Sequence, residues 1–196
     1  MKAEVILILG GARSGKSRFA QRLASGLGHR VLYVAPLVPL DEEMRRRVEL
    51  HQKSRPSSWR TLEAPTSVAK AMREHIADAE VVILDCITLL VANLMSPAEL
   101  AGINYEAIQR EMTTELEALL ACVDDSSASL IIVSNEVGSG LVPPYPSGRA
   151  FRDLLGEANQ FIAERADKVY MMIAGLPLEL KTLSTRADGG LSLGSR

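Results

Sequence analysis

Eight residues near the start of the chain, Gly10-Gly11-Ala12-Arg13-Ser14-Gly15-Lys16-Ser17, satisfy the pattern G-x-x-x-x-G-K-S/T. The spacing suits phosphate chemistry. Glycines let consecutive backbone N–H groups converge on anionic oxygens, and a helix opening directly afterwards adds partial positive charge. In such a phosphate-binding loop (P-loop), Lys16 reaches the outer phosphates of ATP or GTP and the Ser17 hydroxyl is a ligand for Mg²⁺. A glycine-rich turn without a ligand is the competing explanation. It leaves the apolar strand before the turn and the helix after it as coincidences.

Three other places carry residues suited to chemistry. Asp85 ends the apolar run Val81–Leu84, where P-loop proteins place a second Mg²⁺-associated carboxylate. Its bland role would be to cap the helix that starts near Ile87. Asn135-Glu136-Val137-Gly138-Ser139-Gly140 follows another apolar run, and in open α/β sheets ligands bind beyond the carboxyl ends of strands. An ordinary connecting loop explains that segment equally well. His51 is the third. Asp41 to Lys53 reads as a short helix in which Met44, Val48 and His51 share an apolar face at i, i+4, i+7. Spacing alone favours a half-buried structural histidine. Imidazole is nevertheless the side chain suited to attack phosphorus near neutral pH, because it is partly unprotonated and leaves readily from a phosphoramidate. His29 and His75 receive no role, and Cys86 and Cys122 have no metal-ligand spacing.

The elements that must position these groups follow from the apolar pattern. Val5–Leu9, Val31–Ala35, Val81–Leu84, Leu130–Val133 and Val169–Ile173 are near-continuous apolar runs, as expected of strands buried on both faces of a parallel sheet. Helical patterns lie between them. Phe19, Leu23 and Leu27 repeat every fourth residue until Gly26 and Gly28 intervene. Thr66 or Ser67 is placed to cap a helix carrying Val68, Met72 and Ile76. Longer helices are expected from about Tyr105 to Cys122 and from Gly148 to Ala166. Alternation of this kind predicts an α/β fold: a three-layer, P-loop NTPase-like architecture around a mostly parallel central sheet. Residues 1–181 form one domain in this reading and residues 182–196 a C-terminal tail.

Bulk properties narrow the function. The 196 residues are 47% hydrophobic and 23% charged, an ordinary globular composition. A net charge of −2 argues against a nucleic-acid binder. The one basic cluster, Arg45-Arg46-Arg47, follows Asp41-Glu42-Glu43 in the order that complements a helix dipole, which reads as a solvated face. The apolar stretch Val81–Met95 is broken by Asp85 and Asn93 and is too short for a membrane span, so a cytoplasmic location is expected.

Taken together, the blocks resemble the bifunctional adenosylcobinamide kinase / adenosylcobinamide-phosphate guanylyltransferases of cobalamin biosynthesis. The resemblance runs from the P-loop through Leu32-Tyr33-Val34-Ala35, Asp41 to His51, Arg55-Pro56, Trp59-Arg60-Thr61 and Glu63. It continues through Asp85-Cys86-Ile87-Thr88, Ser134-Asn135-Glu136-Val137-Gly138, Val142-Pro143, Phe151-Arg152-Asp153, Asn159-Gln160 and Gly175. It implies that the chain phosphorylates adenosylcobinamide with ATP or GTP. It also implies that His51 attacks the α-phosphate of GTP and carries GMP to adenosylcobinamide phosphate. By the same resemblance, nucleotide contacts fall on Gly10 to Ser17, on Tyr33, Val34 and Ala35, on Gln52, Lys53, Ser54 and Arg55, and on Glu63 and Asp85. Lys16 and His51 are then the catalytic pair, Ser17 and Asp85 the Mg²⁺ ligands, and the chain a homo-oligomer, with a trimer the expected form. A departure is Pro36, where members often carry Thr or Ser.

Two other readings compete. A P-loop small-molecule kinase without guanylyltransferase activity needs the same loop but no covalent histidine. A GTPase switch or RecA-like motor needs more than the chain offers. No N/T-K-x-D segment is present, and the D-x-x-G match at Asp153–Gly156 falls inside a predicted helix.

Overall fold

The computed structural model describes residues 3–37, 42, 46, 55–95, 104–124 and 126–184. Its seven strands are β1 (Val5–Gly10), β2 (Val31–Ala35), β3 (Arg60–Glu63), β4 (Val81–Asp85), β5 (Ser129–Val133), β6 (Lys168–Ile173) and β7 (Leu176–Glu179). They form one sheet in the order β3-β2-β4-β5-β1-β6-β7. All neighbours are parallel except β6 and β7, which form an antiparallel hairpin. The helices are α1 (Lys16–Leu27), α2 (Val68–His75), α3 (Ile87–Leu94), α4 (Tyr105–Asp124), α5 (Pro146–Arg165) and the single turn α6 (Leu180–Leu183).

Strand alternation divides the core in two. Leu7, Leu9, Val82, Leu84, Leu130 and Ile132 face one layer, with Val68, Met72, Leu90, Met112, Leu116, Leu155 and Ile162 from α2 to α5. Ile6, Ile8, Ile83, Ile131 and Val133 face the other layer, with Ala20 and Ala24 of α1. The three-layer, mostly parallel α/β architecture is therefore present. Because β1, β4 and β5 are buried on both faces, their sequences show no polar alternation.

Two strands were not foreseen. β3 reads Arg-Thr-Leu-Glu with only Leu62 partly covered, and β7 contains Pro177. Both lie at sheet edges, where one flank is open to water and neither an apolar run nor a full set of N–H donors is required. The expected cap of α2 also differs. Ser67 occupies the N-cap with φ 48° and makes no side-chain cap; its carbonyl instead accepts the N–H of Ala71 at 3.1 Å.

The helix expected from Asp41 to Lys53 lies largely outside the described residues. Glu42 and Arg46 are helical and pair at 3.9 Å across one turn.

Candidate active site

Parallel strands bring their carboxyl ends to one edge of the sheet, and the residues singled out from sequence meet there. The P-loop leaves β1 at Gly10, whose φ is 151°. A Cβ at Gly10 would lie 2.7 Å from both Met172 O and Ser14 Oγ, so no side chain fits. Arg13 (φ 57°) and Gly15 (φ 96°) are also left-handed, and they turn the chain into α1. Gly11, Ala12 and Arg13 are exposed, while Ser14 and Lys16 are buried. The Ser14 hydroxyl has no hydrogen-bond partner among the described residues.

Lys16 folds back over the loop, its Nζ donating to Gly10 O at 2.8 Å and Gly11 O at 2.7 Å. Burial lowers its pKa from the ordinary lysine value, with nearby Cys86 and Asp85 acting in the opposite sense. A buried ammonium satisfied only by carbonyls is poised to exchange them for phosphate oxygens.

The wall opposite the P-loop comes from β2 and β4. These strands are hydrogen-bonded neighbours, which sets Tyr33 beside the end of β4. The Tyr33 hydroxyl donates to Asp85 Oδ2 at 2.6 Å. The N-cap of α3 is Cys86, and the peptide joining it to Asp85 is cis. Burial first, and the Asp85 carboxylate second, push the Tyr33 phenol well above its usual range, so it remains a donor at any working pH. Burial pushes the Cys86 thiol up to about 11.

Arg55 covers the other face of Tyr33, its guanidinium carbon 3.3 Å from the ring centroid. Its Nε is buried without a partner among the described residues, while Nη1 reaches Thr61 Oγ1 at 3.4 Å. Val34 is fully buried, backbone included, and presents no surface to a ligand. Ala35 and Glu63 are register partners at the ends of β2 and β3. The structure thus brings together Gly10 to Ser17, Tyr33, Ala35, Arg55, Glu63 and Asp85. His51, Gln52, Lys53 and Ser54 fall outside the described residues.

The segment after β5 is tied to the P-loop. Glu136 N donates to Gly10 O at 3.1 Å, the carbonyl that also accepts Lys16. Asn135 is held from two helices, by Thr88 Oγ1 of α3 at 2.9 Å and Asn159 Nδ2 of α5 at 3.1 Å. On the far side, the β6–β7 turn packs on the loop through Gly175 N, which donates to Ser14 O at 3.0 Å. A Cβ on Gly15 would meet Gly175 Cα at 3.4 Å. Sequence reasoning assigned no task to this turn. Its one visible signal was Ala174-Gly175 directly after an apolar run.

A P-loop between a parallel sheet and its first helix, facing a carboxylate on a nearby strand end, defines a P-loop NTPase-like nucleotide-binding protein. The RadB recombinase shares this fold, with a TM-score of 0.50, 15% identity, and coverage of 86% of this chain and 73% of that one. The family described as cobinamide kinase / cobinamide phosphate guanyltransferase matches residues 6–180, and the chain belongs to it. It is 38% identical over 184 residues to the bifunctional adenosylcobalamin biosynthesis protein CobU of Escherichia coli, covering 90% of this chain and 99% of that protein. It is 42% identical over 178 residues to the bifunctional adenosylcobalamin biosynthesis protein CobP of Pseudomonas aeruginosa, covering 89% and 96%. The Salmonella typhimurium CobU is 38% identical over 183 residues, covering 90% and 99%.

Proposed function

We propose that the chain phosphorylates adenosylcobinamide and then guanylylates the product, using one phosphate cradle for both steps. In the first step the substrate hydroxyl attacks the γ-phosphorus of ATP or GTP, the bond to the leaving diphosphate breaks, and the hydroxyl proton passes to solvent. In the second, an imidazole nitrogen of His51 attacks the α-phosphorus of GTP. A P–N bond forms as pyrophosphate departs. A phosphate oxygen of adenosylcobinamide phosphate then attacks the same phosphorus, freeing the imidazole and giving adenosylcobinamide-GDP.

The observation that carries this reading is the contact between Arg55 and Tyr33. It returns the chain to the nucleotide wall four residues beyond His51. Four residues of extended chain span at most roughly 14 Å, a tether that allows the imidazole to approach a nucleotide held by Gly10 to Ser17. Lys16 is suited to follow charge developing on the transferred phosphoryl group. Gln52, Lys53, Ser54 and Glu63 are assigned to the nucleotide by the family resemblance, and Glu63 stands at the end of β3.

The donor set suits Mg²⁺. No group of three His, Cys, Asp or Glu side chains converges among the described residues. Mg²⁺ is commonly held by one or two protein oxygens with substrate phosphates supplying others, and Ser17 and Asp85 are oxygen donors of that kind. Tyr33 engages Oδ2 of Asp85, so Asp85 and the Ser17 hydroxyl would hold the ion, which when bound neutralises phosphate charge. We place the enzyme in the cytoplasm as a homo-oligomer, with a trimer as the expected form. Among the described residues no helix is long and apolar enough to cross a membrane.

α-labelled GTP tests the covalent step. Wild-type protein acquires acid-labile, base-stable label, and His51→Ala acquires none while still phosphorylating adenosylcobinamide with ATP. Absence of label on active wild-type kinase would establish the small-molecule kinase without guanylyl transfer.

A further inference from the structure

One planar peptide joins the phosphate cradle to α5, which packs on the opposite side of the sheet from α1. It is the unit between Asn135 and Glu136, whose N–H and C=O point in opposite directions as in any trans peptide. The Glu136 N–H donates to Gly10 O at 3.1 Å, and the Asn135 carbonyl accepts Asn159 Nδ2 of α5 at 3.1 Å. The Asn135 N–H is fixed as well, donating to Thr88 Oγ1 at 2.9 Å. A rigid plane pinned at both ends has little freedom to rotate.

Gly10 O is also the carbonyl on which Lys16 rests, at 2.8 Å, and Gly10 is buried. That double use matters when nucleotide arrives. The ammonium must then turn from carbonyl to phosphate, and a buried carbonyl left without a donor opposes the move. The Glu136 N–H removes this obstacle, because Gly10 O keeps one donor after the lysine departs. Gly11 O, the other acceptor of Lys16, is served by Ser14 N at 3.3 Å and belongs to an exposed residue that water can reach. Only the buried carbonyl depends on the pinned peptide.

We propose that Asn159 is a positioning residue for the phosphate cradle: it holds the Asn135–Glu136 peptide so that Gly10 O stays satisfied while Lys16 transfers to the nucleotide. The proposal rests on the part of the function given above that assigns Lys16 to the phosphates. The bonding of Asn159 itself points the same way. Its Oδ1 is buried without a partner among the described residues, while its Nδ2 is bonded. A buried amide used by half is a cost that a leucine of similar size would not carry. What the position gains from asparagine is the donor. Anchoring of α5 is already provided by Leu154, Leu155, Ala158 and Ile162, all buried in the core.

The test is a double-mutant cycle on the full-length protein, with the Kd for ATP read by calorimetry. Asn159→Leu is expected to raise that Kd by roughly tenfold, the effect of one buried hydrogen bond, and the Kd for GTP alike. The KM for adenosylcobinamide should stay at the wild-type value. In a Lys16→Met background the same substitution should change the Kd by less than about twofold, because no ammonium then leaves Gly10 O. A residue that merely supports α5 would weaken binding equally in both backgrounds, and that result would overturn the proposal. So would an unchanged Kd for Asn159→Leu alone. Should Asn159→Leu fail to fold, Asn159→Asp keeps the shape and sets an oxygen against the Asn135 carbonyl, and the same comparison decides. Wild-type protein that binds ATP but leaves adenosylcobinamide unphosphorylated would instead defeat the functional reading and leave the role of Asn159 standing.

Discussion

Tyr33 and Asp85 stand 52 residues apart in the chain and 2.6 Å apart in the fold, the phenol donating to the carboxylate across the ends of β2 and β4. The bond holds one carboxylate oxygen in place and leaves the phenol between Asp85 and the Arg55 guanidinium. Tyr33→Phe removes the donor with little change of shape. Equilibrium denaturation should show a loss of about 1 kcal/mol, the usual net value of one hydrogen bond. The Mg²⁺ concentration giving half-maximal kinase rate should rise severalfold. An unchanged Mg²⁺ dependence would separate Tyr33 from the metal and leave it a purely structural residue.

Lys16 gives a prediction with a defined sign. Burial lowers its pKa in the empty protein below the ordinary lysine value of 10.5. Phosphate oxygens placed beside it favour the charged form and raise that value again. Nucleotide binding should therefore take up protons at pH values between the lowered value and 10.5. Calorimetry at about pH 9.5 in two buffers of different ionisation enthalpy reads this directly. Lys16→Met should abolish the uptake and slow the kinase by roughly a hundredfold or more.

Gly10→Ala forces a Cβ to within 2.7 Å of a backbone oxygen at a φ of 151°. Such a clash costs on the order of 2 kcal/mol or more and displaces the cradle. Thermal melts should show a lower midpoint, and the stabilisation that wild type gains from ATP should be largely lost. A variant that melts like wild type and is still stabilised by ATP would show that the β6 backbone yields at Met172.

The cysteines should be chemically quiet. Cys86 has a thiol pushed up to about 11, and Cys122 is buried with its Sγ donating to Ala69 O at 3.4 Å. The thiolate is the reactive form, so iodoacetamide at about pH 8 should modify neither in the folded protein and both after denaturation. Fast alkylation of Cys86 in native protein would mean that α3 opens more readily than its packing suggests.

Much of this architecture was legible in the residues themselves. Apolar runs marked β1, β2, β4 and β5, because strands covered on both sides tolerate little else, and β6 is equally apolar although only Val169 and Met172 of it are buried. Arg60–Glu63 and Leu176–Glu179 left no such trace, since an edge strand needs only one partner and keeps one flank wet. The P-loop was plain from spacing, as its geometry depends on glycines at fixed intervals. The union of Tyr33 with Asp85 and Arg55 was not, because it depends on which strands lie side by side. Nor did the chain announce that Lys16 rests on Gly10 and Gly11. His51, the residue on which the resemblance placed most weight, lies outside the described residues.

The two outermost strands have a consequence for how the molecule keeps company. β3 and β7 are each four residues long; the first carries Arg60 and Glu63, and the second is interrupted by Pro177. Borders so brief and so poorly suited to pairing give a stray strand almost nothing to zip onto. Edges of this kind guard crowded solutions against fibrous growth.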